Sequence, residues 1–340
     1  MYKMLQSHHK TIHEALGRNP IHPFPARMAP GIALEALGNT KKSLRVLDPM
    51  MGSGTVLAVA RSRGHRAIGI DMDPLAVLLS KVWTTTIDPD RARDKAIEVL
   101  GRAKTTFRDL KVKDAYPLKA DEATKAFIRY WFDSYSRRQL AALSRTIGRV
   151  HDHDIRDVLW CSFSRLIISK QSGASLAMDL SHSRPHRVFD RAPTRPFNKF
   201  LSAIEMVTLN CPQHRRGPVG PTTKAQLGDA RALSIANESI DLVLTSPPYL
   251  NAIDYIRCSK FSLVWMGYCL GELRQTRSDS IGSEHSSASA RDDKGVRQII
   301  KDLQLTPKLD DREYNVLCQY VFDMRNALSE VYRVLVRGGR

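Results

Sequence analysis

The stretch LRVLDPMMGSGTVLAVARSRG at 44–64, followed at once by RAIGIDMDPLAVLLSKVW at 66–83, decides the fold. Each opens on a short apolar run that ends in an acid, passes through a turn and continues with apolar residues at helical spacing. In the first, Leu44 to Leu47 read as a strand and glycines fill the turn. Val56, Leu57, Val59 and Ala60 then mark one helix, which Gly64 ends. In the second, the strand closes at Asp71 and Asp73 stands as helix N-cap. Pro74 takes the first helical position, where its missing N–H is no loss. Two consecutive strand–turn–helix units predict parallel strands in a doubly wound α/β fold.

In such a sheet the chemistry gathers at the carboxyl ends of the strands. In DPMMGSGT (48–55) the glycines let the chain turn sharply and let a ligand approach the main chain closely. A helix N-terminus with unpaired N–H groups follows. The turn is not G-x-G-x-x-G and has no P-loop lysine. Asp48 at the strand end would repel phosphate and suits a cationic ligand, such as one carrying an ammonium group. Asp71, 23 positions later, stands where an acid accepts hydrogen bonds from ribose hydroxyls. Asp229, in LGDAR, ends a third strand and could take a proton from an adenine amine. Singly, each acid reads equally well as a capping or turn residue. Together they fall on three successive strand ends and face one crevice.

TSPPY at 245–249 ends a further apolar run, Asp241 to Leu244. Two prolines cannot continue a central strand. They also supply no N–H, so the corner presents the Pro247 carbonyl outward. Ser246 adds a hydroxyl acceptor and Tyr249 a flat ring. The set makes a slot for a planar group bearing an –NH₂. A proline turn that merely stops a strand is the competing reading.

Around these units the chain is that of an ordinary globular protein. Of 340 residues, 42% are hydrophobic and 26% charged. No apolar run approaches the roughly 20 residues of a membrane span, and the polar N-terminus lacks a signal-peptide core. A cytoplasmic protein is expected. Lys and Arg number 52 against 35 acids, a net charge of +17 that would attract a polyanion. Five scattered cysteines without a C-x-x-C pair argue against a zinc ribbon or a disulfide framework. HDHD at 151–154 reads as surface, and no metal is expected. The first 40 residues read as irregular apart from a helix at 31–37. Residues 88–210 read as mostly helical, with a basic loop at 179–200, and 277–295 reads as a mobile serine-rich loop. The chain closes on VLVRGGR, before the strand that such a glycine pair introduces, so a fragment is expected.

In order, DPMMGSGT, GIDMD, GDAR and TSPPY resemble the S-adenosylmethionine-dependent DNA amino-methyltransferases, which methylate N4 of cytosine or N6 of adenine. HPFPARMAP (22–30) resembles the N-terminal element with which such enzymes cover the cofactor. The resemblance covers roughly 20–83 and 225–340. It implies a Rossmann-like class I methyltransferase sheet, S-adenosyl-L-methionine as cofactor, and double-stranded DNA with a flipped base as substrate. A restriction endonuclease is the partner such enzymes can have.

The resemblance also implies roles by position. Asp48, Gly52 and Gly54 would line the methionine moiety, with Pro49, Met50, Ser53 and Thr55 in the same turn. Asp71, beside Met72, would bind the ribose, and Asp229, beside Ala230, would lie near the adenine. Phe24 and Arg27 would close over the methionine end. Ser246, Pro247, Pro248 and Tyr249 would hold the base. A tetrapeptide opening on Ser leans toward cytosine N4 in this family, so that product is expected. N6-adenine, RNA amine methylation and a non-catalytic DNA-binding relic are the alternatives. Residues 1–84 and 225–340 form the expected catalytic domain. The 85–224 insert departs from a minimal methyltransferase and is the expected DNA-reading region. There Arg184, His186, Arg187, Arg191 and Arg195 would touch phosphates or base edges, unless they form only a basic solvated loop.

Overall fold

The computed structural model describes residues 10–340 apart from 26, 41, 182–184, 214–220, 251–254, 285–286 and 305–308. The N-terminal arm holds two short helices, α1 (Ile12–Leu16) and α2 (Pro30–Leu37). The two strand–turn–helix units follow as β1 (Arg45–Asp48), α3 (Thr55–Ser62), β2 (Arg66–Asp71) and α4 (Pro74–Thr84). The insert supplies α5 (Pro89–Asp109), α6 (Glu122–Trp131), α7 (Ser134–Ile147) and α8 (His153–Ile167). It continues with the two-residue strands β3 (Ala177–Met178) and β4 (His186–Arg187) and with α9 (Pro196–Leu209). The sheet resumes with β5 (Thr223–Leu227) and β6 (Leu242–Val243). After it come α10 (Tyr255–Leu263), α11 (Leu270–Asp279), α12 (Ala288–Asp292), α13 (Lys294–Asp302) and α14 (Asp311–Val334). Among the described residues no helix is long and apolar enough to cross a membrane.

The main sheet is parallel throughout, in the order β5-β2-β1-β6. The chain steps outward from β1 through β2 to β5, then returns to the other side of β1 for β6. Strand order therefore reverses between β1 and β6, and a crevice opens there at the carboxyl ends. Val46, Val56, Leu57 and Val59 are buried between β1 and α3, while Leu47 packs on the other face with Ile70, Ile240 and Val334. Gly69 in β2 makes this closeness possible. A Cβ there would lie 2.4 Å from Met51 Sδ and 2.7 Å from Leu57 Cδ1, so any larger residue would displace the Met51 and Leu57 side chains packed over the strand.

The insert is built onto the sheet rather than hung from it. Leu75, Leu79, Val82 and Trp83 of α4 share one core with Leu140, Leu143, Val158, Leu159 and Phe163 of the insert. Arg18 clasps its base. The guanidinium donates to the carbonyls of Trp83 and Asn210, both at 2.8 Å, and lies 5.5 Å from the Trp83 ring centroid. The insert's entrance and exit also meet directly, Ile87 N–H donating to the Pro212 carbonyl at 3.2 Å.

Three boundaries differ from expectation. β5 starts at Thr223 and ends before Gly228, ahead of the acid expected to close it. The 277–295 segment is not one loop. Ser287 accepts from Ala290 N–H at 3.2 Å and caps α12, and Asp293 accepts from Val296 N–H at 2.9 Å and caps α13. Val296 and Ile300, one turn apart, then pack on Leu317 and Cys318 of α14, which fixes α13 as a helix. Finally, the segment after α14 already lies along the outer edge of β6. Leu335 pairs with Ile240 in parallel, Arg340 N–H donates to the Asp241 carbonyl at 3.2 Å, and Val243 N–H donates to the Arg340 carbonyl at 2.7 Å.

Candidate active site

The carboxyl ends of β5, β2, β1 and β6 open on one cavity of about 990 Å³. Its wall takes Asp48, Pro49, Met50, Gly52, Ser53 and Thr55 from the turn after β1, and Asp71 and Met72 from β2. Asp229 and Ala230 enter after β5, Ser246, Pro247, Pro248 and Tyr249 after β6, and Phe24 and Arg27 from the N-terminal arm. Gly54 alone of the expected cofactor residues stands behind this wall. Its φ of +84° is left-handed, and a Cβ there would meet Ser80 Oγ at 2.6 Å. Gly54 thus lets α3 start tight against α4.

The two strand ends are laced together. Asp71 accepts from Gly52 N–H at 2.8 Å and from Asp73 N–H at 2.9 Å, and Ser80 Oγ donates to the Gly52 carbonyl at 2.9 Å. Phe24 is buried against the same turn, its Cε1 3.9 Å from where a Cβ on Gly52 would stand. Arg27 donates to the His22 carbonyl, and burial draws its guanidinium pKa down to about 10. Ser53 Oγ and Thr55 Oγ1 are buried with no partner among the described residues. Their unused hydrogen-bonding capacity in the wall fits a polar, zwitterionic ligand group.

The floor is strongly acidic. Burial lifts the Asp48 carboxyl to about 7, the nearby Thr245 hydroxyl and Met50 N–H pulling it back only in part. Burial also raises Asp71. Asp73, raised to about 7 by burial and then by Asp71, caps α4 through Leu75 N–H at 2.8 Å and accepts from the Ser259 hydroxyl. Three carboxyls this close resist ionising together, and a bound cation would relieve them.

The Ser-Pro-Pro-Tyr corner is held on both sides. Asp241 and Leu244 N–H donate to the β1 carbonyls of Arg45 and Leu47, each at 2.9 Å, until the prolines end the pairing. Tyr320 of α14 donates its hydroxyl to the Pro248 carbonyl at 2.8 Å. The Pro247 carbonyl accepts no hydrogen bond among the described residues. Tyr249 is 80% exposed, its ring uncovered beside that carbonyl.

Asp229 reaches the cavity, but Arg231 engages its carboxylate. Oδ1 accepts from the Arg231 backbone N–H at 2.8 Å and from Nε at 3.0 Å, and Oδ2 accepts from Nη2 at 2.7 Å. Arg231 also donates to Asp323 of α14 at 2.8 Å and to the Asp279 carbonyl at the end of α11 at 2.7 Å. An adenine amine at Asp229 would therefore have a competitor.

Of the expected DNA contacts, none among the described residues lines the cavity. Arg184 lies outside the described residues. His186, Arg187 and Arg191 are exposed, Arg187 lying 5.5 Å from the Tyr130 ring centroid. Arg195 is engaged within the fold, 3.4 Å from Asp133, 3.1 Å from Ser136 Oγ and 5.0 Å from the Tyr135 ring centroid. Sequence reasoning missed the cavity's outer wall, where Arg257, Arg274 and Arg277 stand with Ser280, Gly282 and Ser283. It also missed Arg231 and Tyr320. Arg231 closes the GDAR motif, but nothing local gives it a role, and no periodicity or motif marks the others. Only the tertiary paths of α10, α11 and α14 bring those to the strand ends.

The chain is similar to several Type II methyltransferases. It is 21% identical over 340 residues to M.MvaI of Kocuria varians, across 92% of this chain and 73% of that protein. To M.MjaII of Methanocaldococcus jannaschii it is 20% identical over 407 residues, across 93% of this chain and 75% of the relative. To M.BsoBI of Geobacillus stearothermophilus it is 23% identical over 264 residues, across 68% of this chain and 49% of the relative. No family model and no solved structure matches the chain.

Proposed function

For a chain related to the Type II DNA methyltransferases, we propose site-specific transfer of a methyl group from S-adenosylmethionine to the exocyclic amine of a DNA base, N4 of cytosine before N6 of adenine. One observation carries the reading. The acidic glycine turn and the Ser-Pro-Pro-Tyr corner, 190 residues apart in sequence, share a single cavity of about 990 Å³. That gives two ligands one room, which a turn that merely stops a strand would not need.

The cofactor supplies an electrophilic methyl on a sulfonium sulfur. Asp48 would face its ammonium group, the Ser53 and Thr55 hydroxyls its carboxylate, and Asp71 its ribose, with Phe24 closing over the turn. The base amine is a weak nucleophile because its lone pair is delocalised into the ring. Ser246 and the Pro247 carbonyl would accept its two hydrogens and favour the pyramidal nitrogen of the transition state. Tyr249 would stack on the base, which must leave the helix to reach this depth. Tyr320 fixes the corner from behind.

The test is transfer of tritiated methyl from S-adenosylmethionine to unmethylated plasmid DNA and to RNA, followed by nucleoside identification. N4-methylcytosine in DNA is expected. N6-methyladenine would overturn the base assignment, and label in RNA alone would overturn the DNA reading.

A further inference from the structure

Charge divides the cavity. The floor carries Asp48, Asp71 and Asp73 together with Arg27, and the outer wall carries Arg257, Arg274 and Arg277 together with Glu284, whose carboxylate pairs with Arg312 at 2.7 Å. Arg274 and Arg277 sit three residues apart on α11, on one helix face. Arg274 and Arg277 are both exposed, and Arg274 makes no ion pair among the described residues. Beyond them Ser278 adds a hydroxyl to the same wall, while those of Ser280 and Ser283 donate to the Thr276 and Ser278 carbonyls at 2.7 and 2.8 Å.

This wall is placed, not loose. Arg231 holds the Asp279 carbonyl at 2.7 Å. Gly282, with φ +81°, brings the backbone so near the corner that a Cβ there would lie 2.9 Å from the Tyr249 carbonyl. The end of α11 that carries the arginines is therefore anchored, and the chain after it runs close to Tyr249.

We infer that Arg274 and Arg277 hold the sugar–phosphate backbone of the flipped nucleotide while Tyr249 holds its base. The inference rests on the function proposed above. A base swung into the cavity draws its flanking phosphodiesters to the mouth. The acidic floor repels them, and arginine with serine is the donor set that phosphates select. The separation keeps the two substrates apart by sign, a cation on the floor and an anion at the rim.

The test compares the R274Q/R277Q double variant with wild type and with R63Q, an exposed arginine after α3 outside both the cavity and the insert. The readouts are methyl-transfer kinetics on plasmid DNA from about 50 to 200 mM salt and calorimetric binding of S-adenosylmethionine. The double variant is expected to raise KM for DNA about tenfold or more with kcat little changed. The slope of log kcat/KM against log salt is expected to flatten by about 2, near 0.9 for each phosphate that is no longer neutralised. Cofactor affinity stays at the wild-type value, which also certifies the fold, and R63Q behaves as wild type. An unchanged salt slope, an equal effect from R63Q, or a cofactor affinity that falls as far as DNA affinity would each overturn the inference while wild-type transfer to DNA stands. Wild type that methylates no DNA would remove both this inference and the function beneath it.

Discussion

Replacing Asp48 by Asn removes one charge and little else. The side chain is 3% exposed, and its Oδ1 accepts Met50 N–H at 3.2 Å, a bond the Asn oxygen keeps. Burial lifts the carboxyl from its ordinary 3.8 to about 7. Ionising it in the folded chain is therefore less favourable than in the unfolded chain, by about 4 kcal/mol. The sign follows: this penalty is full above pH 7, shrinks as pH falls from 7 toward 3.8, and is absent below. The new amide N–H₂ is buried and returns about 2 kcal/mol of the gain. D48N is thus expected to be about 2 kcal/mol more stable than wild type at pH 8, with the gap closing on acidification. Cofactor affinity moves the opposite way. Loss of a charge-assisted hydrogen bond of about 1.5–3 kcal/mol weakens S-adenosylmethionine binding about ten- to a hundredfold at pH 8. Wild-type affinity should also fall as pH drops through 7, because protons compete with the cation, while D48N keeps only the weaker dependence left by Asp73, itself raised to about 7. Calorimetry with S-adenosylmethionine from about pH 6 to 8.5, paired with melting curves in the same buffers, reads both. A D48N chain that binds the cofactor as tightly as wild type at pH 8, or melts below wild type there, would refute the reasoning.

Other substitutions separate scaffold from chemistry. Tyr249→Ala, at an 80% exposed ring, should leave melting and cofactor binding unchanged while kcat/KM for DNA falls about ten- to a hundredfold, the worth of one base stack. Gly54→Ala forces a Cβ to 2.6 Å from Ser80 Oγ at a left-handed φ, and should destabilise by about 1–3 kcal/mol in denaturant titration. Arg18→Ala leaves the Trp83 and Asn210 carbonyls without their donor. A drop of about 3 kcal/mol is expected in the same titration, with the remaining folded chain binding S-adenosylmethionine normally.

Much of this site is legible in local pattern. Asp48 and Asp71 close strands whose apolar runs and following helices are contiguous in sequence, so a strand-end position is a short-range fact. The Ser-Pro-Pro corner is equally local, because proline fixes its own backbone. What escapes reading depends on distance. Asp229 shows its acid in the sequence, but nothing there says that Arg231 fills its oxygens while also reaching Asp323, 92 residues further on. Arg274 and Arg277 look like any solvated helix face until α11 is seen against the corner. The 277–295 segment misleads for another reason. Its serines mask two legible caps, Ser287 and Asp293, and the Val296–Ile300 pair behind them.

Arg231 joins parts that the cavity otherwise keeps separate. It touches the Asp229 carboxylate just after β5, the Asp279 carbonyl at the end of α11, and Asp323 on α14, the helix whose Tyr320 fixes the corner. A ligand that draws on Asp229 must do so against Arg231, and any shift of that guanidinium is felt at both other ends. Thermodynamic linkage makes such an effect symmetrical: whatever the first ligand does to the affinity of the second, the second does to the first by the same factor. On the function proposed above, a single side chain two residues from Asp229 would thus couple the binding of cofactor and DNA.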